Sequence, residues 1–208
     1  KVVGGDGGWC AIDPTNKDIL YEEYVYLSLA KSTDGGWTWF PITRGIGSGG
    51  YANFIAPFAI SYSDPNILYA GGMTVYKTTD GGRYWDPTTG VFDLNGTALA
   101  SIGISYLNPD TVICGTGGAS TGTTALQIFR TTNGGVTWTN VTGTLPNRYP
   151  TDISFDPNSS LIAYLTYSGY GTSHVFKTID AGLTWEDISS NLPDIPTQSV
   201  VVDPAYPD

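Results

Sequence analysis

Apolar residues in this chain come in short runs, each closed by a turn signal. Ile153-Ser154-Phe155, Leu161-Ile162-Ala163-Tyr164-Leu165 and His174-Val175-Phe176-Lys177 show the pattern within one stretch of about 25 residues. Runs this short, rich in β-branched and aromatic residues, predict strands rather than helices. The closures are of two kinds. Asp13-Pro14, Asp64-Pro65, Asn108-Pro109, Asp156-Pro157 and Asp203-Pro204 each end a first strand. Proline presets φ there and the Asx side chain bonds the following backbone. The second closure is an octapeptide.

The octapeptide repeats. Ser32-Thr33-Asp34-Gly35-Gly36-Trp37-Thr38-Trp39 returns as Thr78 to Trp85, as Thr131 to Trp138 and as Thr178 to Trp185. Measured on the last Trp, the spacings are 46, 53 and 47 residues. The two markers hold phase along the whole chain, so the period is structural. Each unit predicts four antiparallel strands: strand, Asx-Pro turn, strand, strand, octapeptide hairpin, strand. Asp-Gly supplies the positive φ of a tight hairpin. The Asp carboxylate and the Ser/Thr hydroxyl can tie the turn ends, and the closing Trp offers a large apolar plate.

Four strands per unit at this spacing is the blade of a β-propeller. The fold class expected is therefore all-β, with blades at about 1–46, 47–95, 96–145 and 146–195 and an inner strand of a fifth at 196–208. Propellers close with more blades than four, so the chain reads as part of a ring of roughly six to eight. The remaining blades are expected from the same parent chain or a partner chain.

Composition trims the list of functions. Glycine numbers 27, and the net charge is −10, from 19 acidic and 9 basic residues. So acidic a surface repels phosphate backbones and anionic bilayers, so neither nucleic acid nor a membrane surface is expected as partner. No run of about 18 apolar residues predicts a transmembrane helix. No leader opens the chain, which reads as trimmed at both ends. Cys10 and Cys114 lie two units apart and are expected as small buried apolar residues, not a disulfide.

The octapeptides resemble the Asp box, or BNR repeat, of the sialidase-like propellers. That superfamily includes bacterial sialidases, xyloglucan-cleaving glycoside hydrolases, sortilin-type receptors and a photosystem assembly factor. The resemblance implies the fold and an extracellular or cell-surface setting, but the fold hosts unrelated activities. It also implies that Asp34, Asp80, Asn133 and Asp180, with Trp39, Trp85, Trp138 and Trp185, are structural. Asn133 standing in for Asp suits a turn and not an acid. Lys31, Lys77, Arg130 and Lys177 recur at one position before the octapeptides, again a structural pattern.

Candidate chemistry sits on the opposite face, where the second–third-strand loops and the crossovers between blades lie. A sialidase needs three arginines on a carboxylate. Here Arg83 and Arg130 are repeat positions, leaving Arg44 and Arg148, and no Arg-Ile-Pro occurs. The xyloglucan-cleaving relatives carry one catalytic Asp at the start of an inner strand, before Asp-Pro. Asp152 in Thr151-Asp152-Ile153-Ser154-Phe155-Asp156-Pro157 matches that spacing. No second acid matches: Tyr69-Ala70-Gly71-Gly72 and Tyr164-Leu165-Thr166-Tyr167 lack one, and Tyr21-Glu22-Glu23 is out of step. Glycoside cleavage needs two carboxylates.

The loops also offer a binding surface: Tyr51, Asn53, Arg148, Tyr149, Tyr167, Tyr170 and the only histidine, His174. Sugars stack on aromatic faces and bond amides and arginine, and protein partners use the same groups. His174 has no evident carboxylate partner. No cofactor is expected. Calcium would find its best single donor in Asp6, but no EF-hand spacing occurs, so no metal site is assigned. Three sequons begin at Asn95, Asn140 and Asn158. The leading expectation is a secreted, noncatalytic propeller binding polysaccharide or an extracellular protein. The alternative is a glycoside hydrolase acting on β-glucan.

Overall fold

The computed structural model describes residues 6–47, 52–88, 94–120 and 125–205. It contains four four-stranded antiparallel sheets, each in chain order. Blade one holds β1 (Cys10–Asp13), β2 (Asn16–Glu23), β3 (Leu29–Ser32) and β4 (Phe40–Pro41). Blade two holds β5 (Phe58–Ile60), β6 (Leu68–Gly71), β7 (Val75–Thr78) and β8 (Asp86–Pro87). Blade three holds β9 (Thr97–Ile104), β10 (Val112–Ser120), β11 (Ile128–Thr131) and β12 (Thr139–Asn140). Blade four holds β13 (Pro150–Phe155), β14 (Ala163–Tyr167), β15 (Val175–Thr178) and β16 (Glu186–Asp187). The first strands β1, β5, β9 and β13 neighbour one another in that order.

Blades stack face to face through three apolar cores. Tyr21, Leu27 and Leu29 of blade one meet Phe58, Leu68, Tyr76 and Trp85 of blade two. Tyr69 and Val75 of blade two meet Leu99, Ile102, Val112 and Cys114 of blade three. Ile113 and Ile128 of blade three meet Ile153, Phe155, Leu165 and Phe176 of blade four. Gly103 lets the inner strands of blades three and four close up, because a Cβ there would stand 2.6 Å from the Ile153 carbonyl oxygen.

The octapeptides form one turn built four times. In blade one the Ser32 hydroxyl donates to Asp34 Oδ1 (2.8 Å) and accepts from the Gly36 amide (2.8 Å). Asp34 in turn accepts from the Thr38 amide (2.9 Å) and hydroxyl (2.6 Å). Asp180 repeats the set with Thr184, at 2.8 and 2.6 Å. Asn133 reverses one bond, its Nδ2 donating to the Thr137 hydroxyl at 2.9 Å. The Thr38 bonds hold the Asp34 carboxyl down at about 2. Burial pushes Asp80 and Asp180 the other way, but hydrogen bonds within the turn still leave both below the usual carboxylate range. These carboxylates are turn clamps.

The turn needs two consecutive residues at positive φ. Glycine supplies both in three copies, while Ala181 takes φ 57° in the fourth. A Cβ in the left-handed region costs roughly 1–2 kcal/mol. Ala181→Gly is therefore expected to stabilise the chain by about 1 kcal/mol in urea unfolding, with an unchanged or lower midpoint refuting the strain.

One expectation needs correction. Cys10 is exposed, unlike the buried Cys114. It lies on the face of β1 that points away from blade two, and no described sheet covers it. The inner strand expected at Val200–Val202 has no ladder partner, because no second strand follows among the described residues. Residues 196–205 lie against blade four, where that strand is expected. Thr197 donates to the Tyr167 carbonyl (3.1 Å), and Asn158 Nδ2 donates to the Pro204 carbonyl (2.8 Å).

Candidate functional site

The antiparallel order places the Asx-Pro turns and octapeptides at one end of every sheet. The second–third-strand loops and the crossovers occupy the other end. The described residues proposed for binding fall on that second end; Tyr51 lies outside the described residues.

Asp152 is the third residue of β13, and both its carboxylate oxygens accept hydrogen bonds. Its Oδ1 accepts from the Ile153 amide (2.8 Å), and its Oδ2 from the Ser199 hydroxyl (2.8 Å) and the Val200 amide (3.0 Å). All three donors belong to blade four or to residues 196–205, so Asp152 ties these together. No second carboxylate is among its described partners.

Tyr167 and His174, expected as loop residues facing a ligand, are 1% and 2% exposed. Tyr167 is the last residue of β14, its ring edge-on to Phe176 at 5.6 Å. Burial pushes its phenol well up. His174 does have a carboxylate partner: Nε2 lies 3.0 Å from Asp194 Oδ1, with Nδ1 3.3 Å from the Tyr167 carbonyl. Asp194 also accepts from the Gly171 amide, at 2.8 and 2.9 Å. The bond from His174, then that amide, hold the Asp194 carboxyl low. The pair locks the 168–174 loop onto the following crossover. The twenty-residue separation hid it from the sequence.

Asn53, in the crossover before β5, is half-buried and ties that crossover to blade three, its Nδ2 donating to the carbonyls of Leu99 (2.8 Å) and Gly117 (2.5 Å). Arg148, Tyr149 and Tyr170 remain at the surface. Tyr149 packs one flank on Gly117, and the Arg148 stem lies along Gly169.

The sequence reading overlooked an aromatic shelf on blade one. Tyr24, Tyr26 and Phe54 are 40%, 59% and 46% exposed. The Tyr26 and Phe54 rings meet edge to face at 5.4 Å, and the Tyr26 amide donates to the Phe54 carbonyl at 3.1 Å. The loop under the shelf is strained: Tyr26 and Leu27, neither a glycine, have φ of 51° and 61°. Such outliers persist only where the surroundings over-determine them. Here Glu23 does so. Its carboxylate is 1% exposed, with Oε1 accepting from the Leu27 amide at 3.2 Å. Its Oε2 has no hydrogen-bond partner among the described residues, and burial raises the carboxyl to about 6. Gly8 leaves the room this oxygen needs, since a Cβ there would collide with it. The Tyr24-x-Tyr26 spacing in a second–third-strand loop was the available signal.

Asp6 is exposed, and no group of three or more His, Cys, Asp or Glu able to hold an ion occurs among the described residues.

No protein-family model and no curated sequence matches the chain. Solved structures do. An ancestral GH74 enzyme superposes with a TM-score of 0.68 at 21% identity, covering 90% of this chain and 24% of the other. The GH74 xyloglucanase from Xanthomonas campestris gives 0.68 at 17% identity, over 93% and 32%. YCF48 from Cyanidioschyzon merolae gives 0.56 at 11% identity, over 88% and 59%. The fold is that of a β-propeller. The propeller segment thus spans a quarter to a third of the two GH74 chains. An auxiliary nutrient binding protein from Bacteroides thetaiotaomicron shares the same architecture, with a TM-score of 0.56 at 14% identity over 83% of this chain and 38% of that one.

Proposed function

We propose that this chain is part of a secreted, noncatalytic Asp-box propeller that binds polysaccharide on its crossover face. The observation that carries the reading is the exposed aromatic surface of that face, in which Tyr26 stands on a strained loop with the Phe54 ring of the following crossover against it. Pyranose rings offer apolar faces that stack on such rings, while amides and Arg148 serve the hydroxyls. The acidic surface suits a neutral glycan better than an anionic one. The one candidate acid, Asp152, spends both oxygens on structure.

The expected outcome is weak, saturable binding of xyloglucan or another neutral β-glucan in isothermal titration calorimetry. Tyr26→Ala should weaken it about tenfold, the value of one good ring contact. Asp152→Asn should leave it unchanged. If no glucan binds, or Tyr26→Ala binds as the unsubstituted chain does, the glycan reading of this face fails.

Likeness to GH74 structures favours a second reading, a glycoside hydrolase whose other carboxylate lies outside this segment. Release of reducing ends from xyloglucan, lost on Asp152→Asn, would establish it over the first.

A further inference from the structure

The repeated cation before each octapeptide has a target. Lys31 Nζ donates to the Gly81 carbonyl of the next blade's octapeptide at 3.0 Å. Lys77 Nζ donates to the Gly134 carbonyl at 3.4 Å and to Asp110 at 3.1 Å. Arg130 donates to the Asp180 carbonyl at 3.3 Å. Each blade therefore reaches one blade forward, third strand to octapeptide. In blades one and two the cation also lies over the ring of its cross-strand neighbour, Lys31 over Tyr21 at 5.0 Å and Lys77 over Tyr69 at 5.3 Å.

Blade four carries the same device with nothing opposite it. Lys177 lies over Tyr164 at 5.5 Å, in the same cross-strand register. No octapeptide stands across from it among the described residues. Beside it, the first element of a further blade is already seated. Asp152 and Thr151 bond residues 197–200, and the Asp203 carboxylate caps the Ala205 amide at 2.8 Å. The four complete blades close their first strand with the same Asx turn. The Thr197 amide donates to the Tyr167 carbonyl at the end of β14, as the Leu99 amide does to Gly72 after β6, though at a different register.

We infer that the open face of blade four, Tyr164, Val175 and Lys177, is a docking surface for one kind of partner. That partner is a three-stranded antiparallel sheet that adds to residues 196–205 and turns its third and fourth strands with an octapeptide. Lys177 donates to a main-chain carbonyl of that octapeptide. The argument is continuity: three successive interfaces use this contact, and the fourth donor is in place beside residues 196–205.

The test has two arms. In the 208-residue chain, Lys77→Ala should lower the folded-to-unfolded ratio roughly tenfold in urea, as loss of a charge-assisted bond does. Lys177→Ala should leave the ratio unchanged, and equal losses would overturn the inference. In the second arm, residues 159–195 are copied in after Ala205, supplying the missing strands from the chain's own fourth blade. Amides of residues 163–178 should then exchange more slowly, and Lys177→Ala should cost as much as Lys77→Ala. Lys177→Arg should restore the loss, since Arg130 serves in blade three. If the added residues exchange as an unstructured peptide does, the surface does not accept such a sheet. Concentration-dependent dimerisation of the 208-residue chain, abolished by Lys177→Ala, would assign the face to a second copy and overturn the proposal.

Discussion

Trp85→Ala is expected to cost about 3–5 kcal/mol of stability, the range for emptying a fully enclosed Trp site. Trp85 is 0% exposed and closes the octapeptide of blade two. Its indole Nε1 donates to the Ile42 carbonyl of blade one at 2.7 Å. Removing it leaves a void between two sheets and a carbonyl without its donor. The comparison is Trp39→Ala. Trp39 occupies the same place in blade one, but no described sheet covers it, and its Nε1 turns back to the Gly36 carbonyl at 3.0 Å. Its loss should cost well under half as much. Urea titrations followed by circular dichroism measure both, and equal losses would show that the octapeptide Trp acts within its own turn rather than between blades.

Glu23→Gln is expected to stabilise the chain by about 1–2 kcal/mol at pH 7.5 and to change little at pH 4.5. The folded carboxyl titrates at about 6 instead of 4.5 because burial disfavours its charge. A raised pKa means that the folded state holds the proton more tightly than the unfolded one. Stability from this group is therefore complete below about 4.5 and is lost as pH rises through 6. Glutamine keeps the shape and the oxygen that accepts from Leu27, and it never ionises. The urea midpoint of the unsubstituted chain should fall relative to Glu23→Gln between those limits. Parallel pH profiles for the two proteins would refute the assignment.

The periodic parts of this molecule were legible because they are local. The octapeptide carries its own hydrogen-bond partners within seven residues, so Asp34 and Asn133 could be read as turn clamps without a structure. The Asx-Pro turns are equally self-contained. Parts that depend on a neighbouring sheet were not legible. Lys31 was visibly a repeat position, but its acceptor at Gly81 lies fifty residues on. Asp194 finds His174 across a loop. Tyr167 reads as the start of a loop and is instead the end of a strand, where its ring turns into the core between blades three and four. Cys10 reads as buried, but its cover would have to come from a sheet beyond blade one. The aromatic shelf was not legible because Tyr24 and Tyr26 follow the paired acids Glu22 and Glu23, and its second ring, Phe54, comes from a crossover about thirty residues on.

The forward reach of Lys31, Lys77 and Arg130 makes the coupling between blades directional and nearest-neighbour. Such an assembly behaves as a one-dimensional array, in which each module's stability is its own plus that of the junctions it shares. The middle blades own two junctions and the outer ones a single described junction each. For the 208-residue chain taken by itself, melting is expected to run inward from the outer blades, with blades two and three the last to lose amide protection in hydrogen exchange. The face proposed for binding divides along the same line. The Tyr26 shelf and the Tyr170 loop ride on the flanking modules, whose order a ligand bridging both would have to raise first.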